Sequence, residues 1–134
     1  MTPFKLQILT PDKEFYNGET ENLIVRTTVG DKGILAKHED YVAALPIGKL
    51  KVKQDGKFRV AAVSEGVVKV SKDKTVILVQ SCEWADEIDI ERAKAAKELA
   101  EGRMKQAKSE DKEYLIAEYK LKRAINRIEA SELK

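Results

Sequence analysis

The chain has one cysteine, Cys82, and one histidine, His38, in 134 residues. A single thiol cannot close an internal disulfide, and one thiol with one imidazole cannot assemble a zinc site, so disulfide scaffolds and zinc domains are excluded. No apolar run approaches the roughly 20 residues that cross a bilayer. The start, Met1-Thr2-Pro3-Phe4-Lys5, lacks the basic and apolar blocks of a signal peptide. These absences predict a soluble chain, without membrane insertion, in a reducing compartment. A dominant charge is missing too: 25 Lys and Arg stand against 23 Asp and Glu, and the formal net charge of +2 argues against a general nucleic-acid binder. No nucleophile-base pair, metal-ligand set or Gly-rich phosphate loop is legible, which predicts neither a catalytic nor a metal site.

What is present is unevenly spread. Residues 1–84 hold all three prolines, six of the seven glycines and 11 valines. Residues 85–134 have no proline, valine or threonine, one glycine, and 12 basic and 12 acidic residues. Strand chemistry is followed by helix chemistry, which predicts a β domain over 1–84 and a helical domain over 85–134. In the first part, apolar stretches recur about every ten residues with turn formers between them, as in a sandwich or barrel. Strands are expected at Phe4–Leu9, Leu23–Val29, Lys49–Lys53, Phe58–Val63, Val67–Val70 and Thr75–Gln80. The run Val76-Ile77-Leu78-Val79 reads as buried on both faces. Asn17-Gly18, Gly30-Asp31-Lys32-Gly33 and Asp55-Gly56 read as chain reversals.

In the second part the apolar period lengthens to between three and four: Ala93, Ala96, Ala100, Met104 and Ala107, then Tyr114, Ala117, Leu121, Ala124 and Ile128. Two antiparallel helices are predicted, with Asp89 capping the first and Ser109 the second. Alanine covers little area, so the hairpin should pack weakly and leave the β part at modest cost. Cys82 and Trp84 are placed at the junction of the two parts.

Folding the hairpin about Ser109 brings Arg92 opposite roughly position 126, between Arg123 and Arg127, each within about 5 Å of it along the axis. Two readings stand. The three guanidinium groups pair with Glu83, Asp89, Glu129 or Glu132 in an exposed network, or they form an anion site able to hold a triphosphate, with carboxylates free for a ribose or base edge. His38, without a partner motif, reads as a structural or interface residue. A free-standing cytosolic nucleotide sensor and an RNA-polymerase accessory protein are compatible alternatives. In such accessory proteins, however, the hairpin precedes the β domain, and here it follows.

The ordered anchors Leu9-Thr10-Pro11, Tyr16, Gly18, Gly30 to His38, Leu45, Gly48 and Ala85-Asp86-Glu87-Ile88-Asp89-Ile90-Glu91-Arg92-Ala93 span essentially the whole length. On them the chain resembles the epsilon subunits of bacterial and chloroplast F-type ATP synthases. The resemblance implies an α+β fold, a β-sandwich of about ten strands followed by an antiparallel two-helix hairpin. It implies a non-catalytic rotor subunit at the cytoplasmic face of the bacterial membrane, whose sandwich binds the gamma subunit and rests on the c-ring through the region of Asp31 and His38. The hairpin would regulate ATP hydrolysis by folding down or by reaching the alpha/beta hexamer, with Lys120, Lys122, Arg123 and Arg127 meeting the beta subunit. No cofactor is required.

Ile88-Asp89-Ile90-Glu91-Arg92-Ala93 resembles the Ile/Leu-Asp-x-x-Arg-Ala motif of Bacillus-type members that bind regulatory ATP in the folded-down state. The resemblance implies that Glu83 and Asp89 recognise the nucleoside, that Arg92, Arg123 and Arg127 hold its phosphates, and that Ile88 and Ala93 lie against the ring. Two positions depart from the pattern. Leu99 stands where strong binders have an arginine, which implies lower affinity, and Glu65-Gly66 replaces paired glycines.

Overall fold

The computed structural model describes residues 2–37 and 39–133; the interface reading of His38 lies outside them. Alternation sets the strands. In β6 (Gly48–Gln54), Leu50 and Val52 point into the core while Lys49, Lys51 and Lys53 point out, the period of two that a half-buried strand requires. The same pattern operates in β1 (Phe4–Leu9), β3 (Leu23–Thr27), β8 (Gly66–Val70) and β9 (Thr75–Val79).

Ten strands form two five-stranded sheets. One runs β2-β1-β9-β8-β5, with β2 at Glu14–Thr20 and β5 at Tyr41–Leu45; the other runs β10-β7-β6-β3-β4, with β4 at Gly30–Ile34, β7 at Lys57–Val63 and β10 at Cys82–Trp84. All pairings are antiparallel except β1 with β9. Leu6, Ile8, Leu23, Val25, Ile34, Leu50, Val52, Val68 and Ile77 fill the space between the sheets. Burial of such side chains contributes about 1.5–3 kcal/mol each, and this core holds the sandwich together.

The six strands legible in the sequence are the central ones; the four that were not, β2, β4, β5 and β10, are the four sheet edges. Edge strands tolerate charge, glycine and turn formers because one side of their backbone is unpaired. Asn17-Gly18 accordingly lies inside β2 and not at a reversal. Gly30 to Gly33 belong to β4, and the chain turns just before them, with Gly30 at φ 117°. Asp55-Gly56 does reverse the chain, both residues at positive φ, between β6 and β7. Leu78 is 47% exposed on the outer face of its sheet, so β9 is not buried on both faces.

A 3-10 turn, Ala85–Glu87, leads into α1 (Ile90–Gln106) and α2 (Lys112–Glu132). Asp89 caps α1, its carboxylate accepting from the Arg92 backbone N–H at 3.1 Å. Ser109 does not cap α2. That helix begins after Asp111, whose carboxylate turns back to accept from the Lys108 N–H at 3.3 Å. The helices meet through Ala93, Ala100, Ala117 and Ala124, all buried. α2 lies down on β6, β7 and the 3-10 turn, where Ala130 closes a small cluster with Val60, Ala62, Ala85 and Ile88.

Candidate functional site

The site lies where α2 crosses the end of the sandwich. Trp84, at the end of β10, is buried with its ring 4.9 Å from that of Phe15, and Arg59 lies over it at 4.1 Å. Arg59 also donates to Asp86 and Glu87 at 3.1 and 3.2 Å, fixing the 3-10 turn that aims α1. The start of α1 is therefore held to β7, and Arg92, one turn in, faces the arginines of α2.

Arg92, Arg123 and Arg127 converge on two adjoining clefts. The first, of about 490 Å³, opens between hairpin and sandwich, and Ser81, Glu83 and Glu87 share its wall with the three arginines. Arg127 donates from Nε and Nη2 to the two Glu83 carboxylate oxygens at 2.8 and 3.1 Å, and Arg123 donates to Ser81 Oγ at 3.3 Å. The second cleft, of about 330 Å³, lies between the helices. Arg92, Arg103, Lys120, Arg123 and Arg127 line it together with Leu99, and no carboxylate does. Arg92, Arg103, Lys120 and Arg123 have no carboxylate partner within 4.0 Å among the described residues, and cations gathered so in a concave wall raise the local potential for an anion.

The salt-bridge reading is met at one pair. Arg127 is paired with Glu83 as the salt-bridge reading expects, whereas Glu129 reaches Lys49 at 3.3 Å and Asp89 is the helix cap. No carboxylate lies within 4.0 Å of the Arg92 or Arg123 guanidinium among the described residues. Ile88 and Ala93 are 7% and 0% exposed, turned into apolar packing, and line neither cleft. Lys120 shares the interhelical cleft with Arg123 and Arg127, but Lys122 lies on the other side of α2, in a groove of about 860 Å³. Asp31 is paired with Arg26 at 3.0 Å on β3 and β4.

Sequence reasoning missed Arg103. It follows Leu99 by four positions, the spacing that puts two residues on one helix face, and supplies a guanidinium to the wall where Leu99 supplies none. It also missed Ser81 and the Tyr119–Glu65 contact, in which the Tyr119 hydroxyl donates to Glu65 Oε1 at 2.6 Å. Burial, then the Glu65 hydrogen bond and charge, raise the Tyr119 phenol above its ordinary value of 10. Cys82 lines the first cleft, and burial pushes its thiol up to about 12, so it carries little thiolate near neutral pH. Among the described residues no group of three or more His, Cys, Asp and Glu could hold a metal ion.

The profile of the ATP synthase Delta/Epsilon chain beta-sandwich domain matches residues 3–85, and that of the Delta/Epsilon chain long alpha-helix domain matches residues 86–132. The chain belongs to the ATP synthase delta/epsilon family. The ATP synthase epsilon chain of Ruminococcus albus is 47% identical over 135 residues, covering all of both chains. That of Ruminiclostridium cellulolyticum is 44% identical over 98% of this chain and 97% of its own. The fold recurs in a cryo-EM structure of the Euglena gracilis mitochondrial ATP synthase (OSCP/F1/c-ring), in which one chain superposes with a TM-score of 0.81 at 24% identity, covering 100% of this chain and 83% of that one. Like the epsilon chains it matches, this delta/epsilon-family member is a non-catalytic stalk subunit of an F-type ATP synthase. Family membership removes the alternatives of a free-standing nucleotide sensor and an RNA-polymerase accessory protein. No helix among the described residues is long and apolar enough to cross a membrane.

Proposed function

We propose that the sandwich joins the gamma subunit to the c-ring at the cytoplasmic face of a bacterial membrane, and that the hairpin regulates ATP hydrolysis as a nucleotide-sensitive arm. The observation that carries the regulatory reading is the five-cation wall between the helices, which exists only while α1 and α2 lie side by side. A triphosphate seated there neutralises Arg92, Arg103 and Arg123 together and ties α1 to α2. In an extended arm the same Arg123 and Arg127, with Lys120, are free to meet acidic residues of the beta subunit, so nucleotide and beta subunit compete. Lys122 and Asp31 remain candidates for beta-subunit and c-ring contact.

A ligand that binds only the folded-down form at 100 times its dissociation constant stabilises that form by about 2.7 kcal/mol, enough to bias a marginal equilibrium. Calorimetry of the chain with ATP tests the reading. Binding that weakens at least tenfold in Arg92→Ala and Arg123→Ala supports it, and no heat at millimolar ATP removes the nucleotide from it. Co-purification with gamma tests the rotor role separately.

A further inference from the structure

Among the described residues, the side-chain hydrogen bonds that join the hairpin to the sandwich all come from α2. Its sandwich-facing stripe is Tyr119, Arg123, Asn126, Arg127 and Ala130, spaced by three and four as one helix face requires. Asn126, 6% exposed, donates to the Gly48 and Val63 carbonyls at 2.8 and 3.4 Å, and Ala130 sits in the cluster beside the 3-10 turn. These contacts lie near the point where the chain leaves the sandwich. Tyr119 lies about 10 Å beyond Asn126 and about 16 Å beyond Ala130 along the helix, at 1.5 Å per residue.

Its partner is held in advance. Glu65 stands in the turn between β7 and β8, where Ser64 N–H donates to Ser81 O at 3.1 Å, Ser81 N–H to Ser64 Oγ at 2.7 Å and Gln80 N–H to Glu65 O at 3.1 Å. A Cβ on Gly66 would stand 1.9 Å from the Leu78 carbonyl oxygen, so the backbones of β8 and β9 approach here more closely than any side chain would allow. The carboxylate is thus presented on a rigid support. The same knot receives Arg123 at Ser81, and the Arg123 guanidinium stands 5.8 Å from the Tyr119 ring, the charged group that faces the contact from α2.

We propose that Glu65 and Tyr119 form a clasp that holds the far part of α2 on the sandwich in the absence of nucleotide, setting how often the hairpin lifts. The clasp rests on the hairpin being a movable arm and not on ATP binding. It places a nucleotide-independent restraint next to the anion site, sharing Arg123 with it. An arm that lifts from its free end must break this hydrogen bond before the Asn126 and Ala130 contacts can open.

The test uses the full chain in nucleotide-free buffer, with Cys82→Ser and a single reporter thiol at Ala130→Cys, a fully buried position on the sandwich-facing side of α2. Its rate of reaction with an aromatic disulfide reports the lifted population, because closing outpaces labelling. A partly exposed hydrogen bond to a carboxylate predicts that Tyr119→Phe and Glu65→Gly each speed labelling about three- to tenfold. Glu65→Gln, which keeps an acceptor, has a smaller effect, and the Tyr119→Phe/Glu65→Gly pair is no faster than the quicker single variant. A second reporter, Val68→Cys in the sandwich core, keeps its rate throughout. Unchanged rates in both single variants, multiplying effects in the pair, or equal acceleration of the core reporter each overturn the proposal. None of these outcomes depends on whether ATP binds.

Discussion

Arg127 and Glu83 meet across the junction of hairpin and sandwich in a bidentate pair, Nε to Oε1 at 2.8 Å and Nη2 to Oε2 at 3.1 Å. Both side chains are largely covered, at 23% and 35% exposure, so the pair is less screened than a surface bridge. Arg127→Ala and Glu83→Ala should each lower stability by about 1–2 kcal/mol, and the double variant should reveal a coupling of about 1 kcal/mol. Urea unfolding of the four proteins measures it, and additive losses would show that the pair contributes nothing as a pair.

Ile88 joins the hairpin to the sandwich through apolar packing with Ala130, Val60, Ala62 and Ala85. Truncation to alanine should cost about 2–3 kcal/mol, the low end for a buried isoleucine in a small cluster. The loss should be local. Amide exchange is expected to quicken in α2 where it contacts β6 and β7, while β1 and β9 keep their protection; equal quickening in all of them contradicts a separable hairpin.

Two glycines should respond in opposite ways. Gly66→Ala forces a Cβ against the Leu78 backbone and should destabilise the sandwich by more than about 3 kcal/mol. Gly33→Ala, in edge strand β4 with nothing within 4 Å of the added atom, should be neutral or stabilising by up to about 1 kcal/mol. Thermal melts of the two variants distinguish them.

Cys82 gives a pH signature. Its thiol is raised in the folded chain from about 9 to about 12, so folding favours the protonated form. The resulting stability is fully present below pH 9 and is lost as pH rises from there through about 12. The Tyr119 phenol, also raised, acts with the same sign in the alkaline range. Iodoacetamide at pH 8 should therefore modify the native chain far more slowly than the urea-unfolded chain; equal rates refute the buried thiol.

The sequence by itself determined where strands give way to helices, the six central strands and both helices, because these depend on local periodicity: period two where one face is buried, three to four where a helix packs along a stripe. It also determined that Arg92, Arg123 and Arg127 share one end of the hairpin, since helical rise and antiparallel pairing follow from chain geometry. Edge strands escaped where glycine and charge fill β2 and β4 and where β10 is only three residues long, and Asn17-Gly18 in β2 imitates a turn. Only the tertiary structure decided which groups the arginines face. Arg127 meets Glu83, 44 residues away, and Tyr119 meets Glu65, 54 residues away, through the docking of α2 on β6 and β7. Lys122 falls on the opposite face of α2 from Lys120. Such partnerships depend on how two folded elements dock, and local sequence constrains the face each element offers without specifying what it meets.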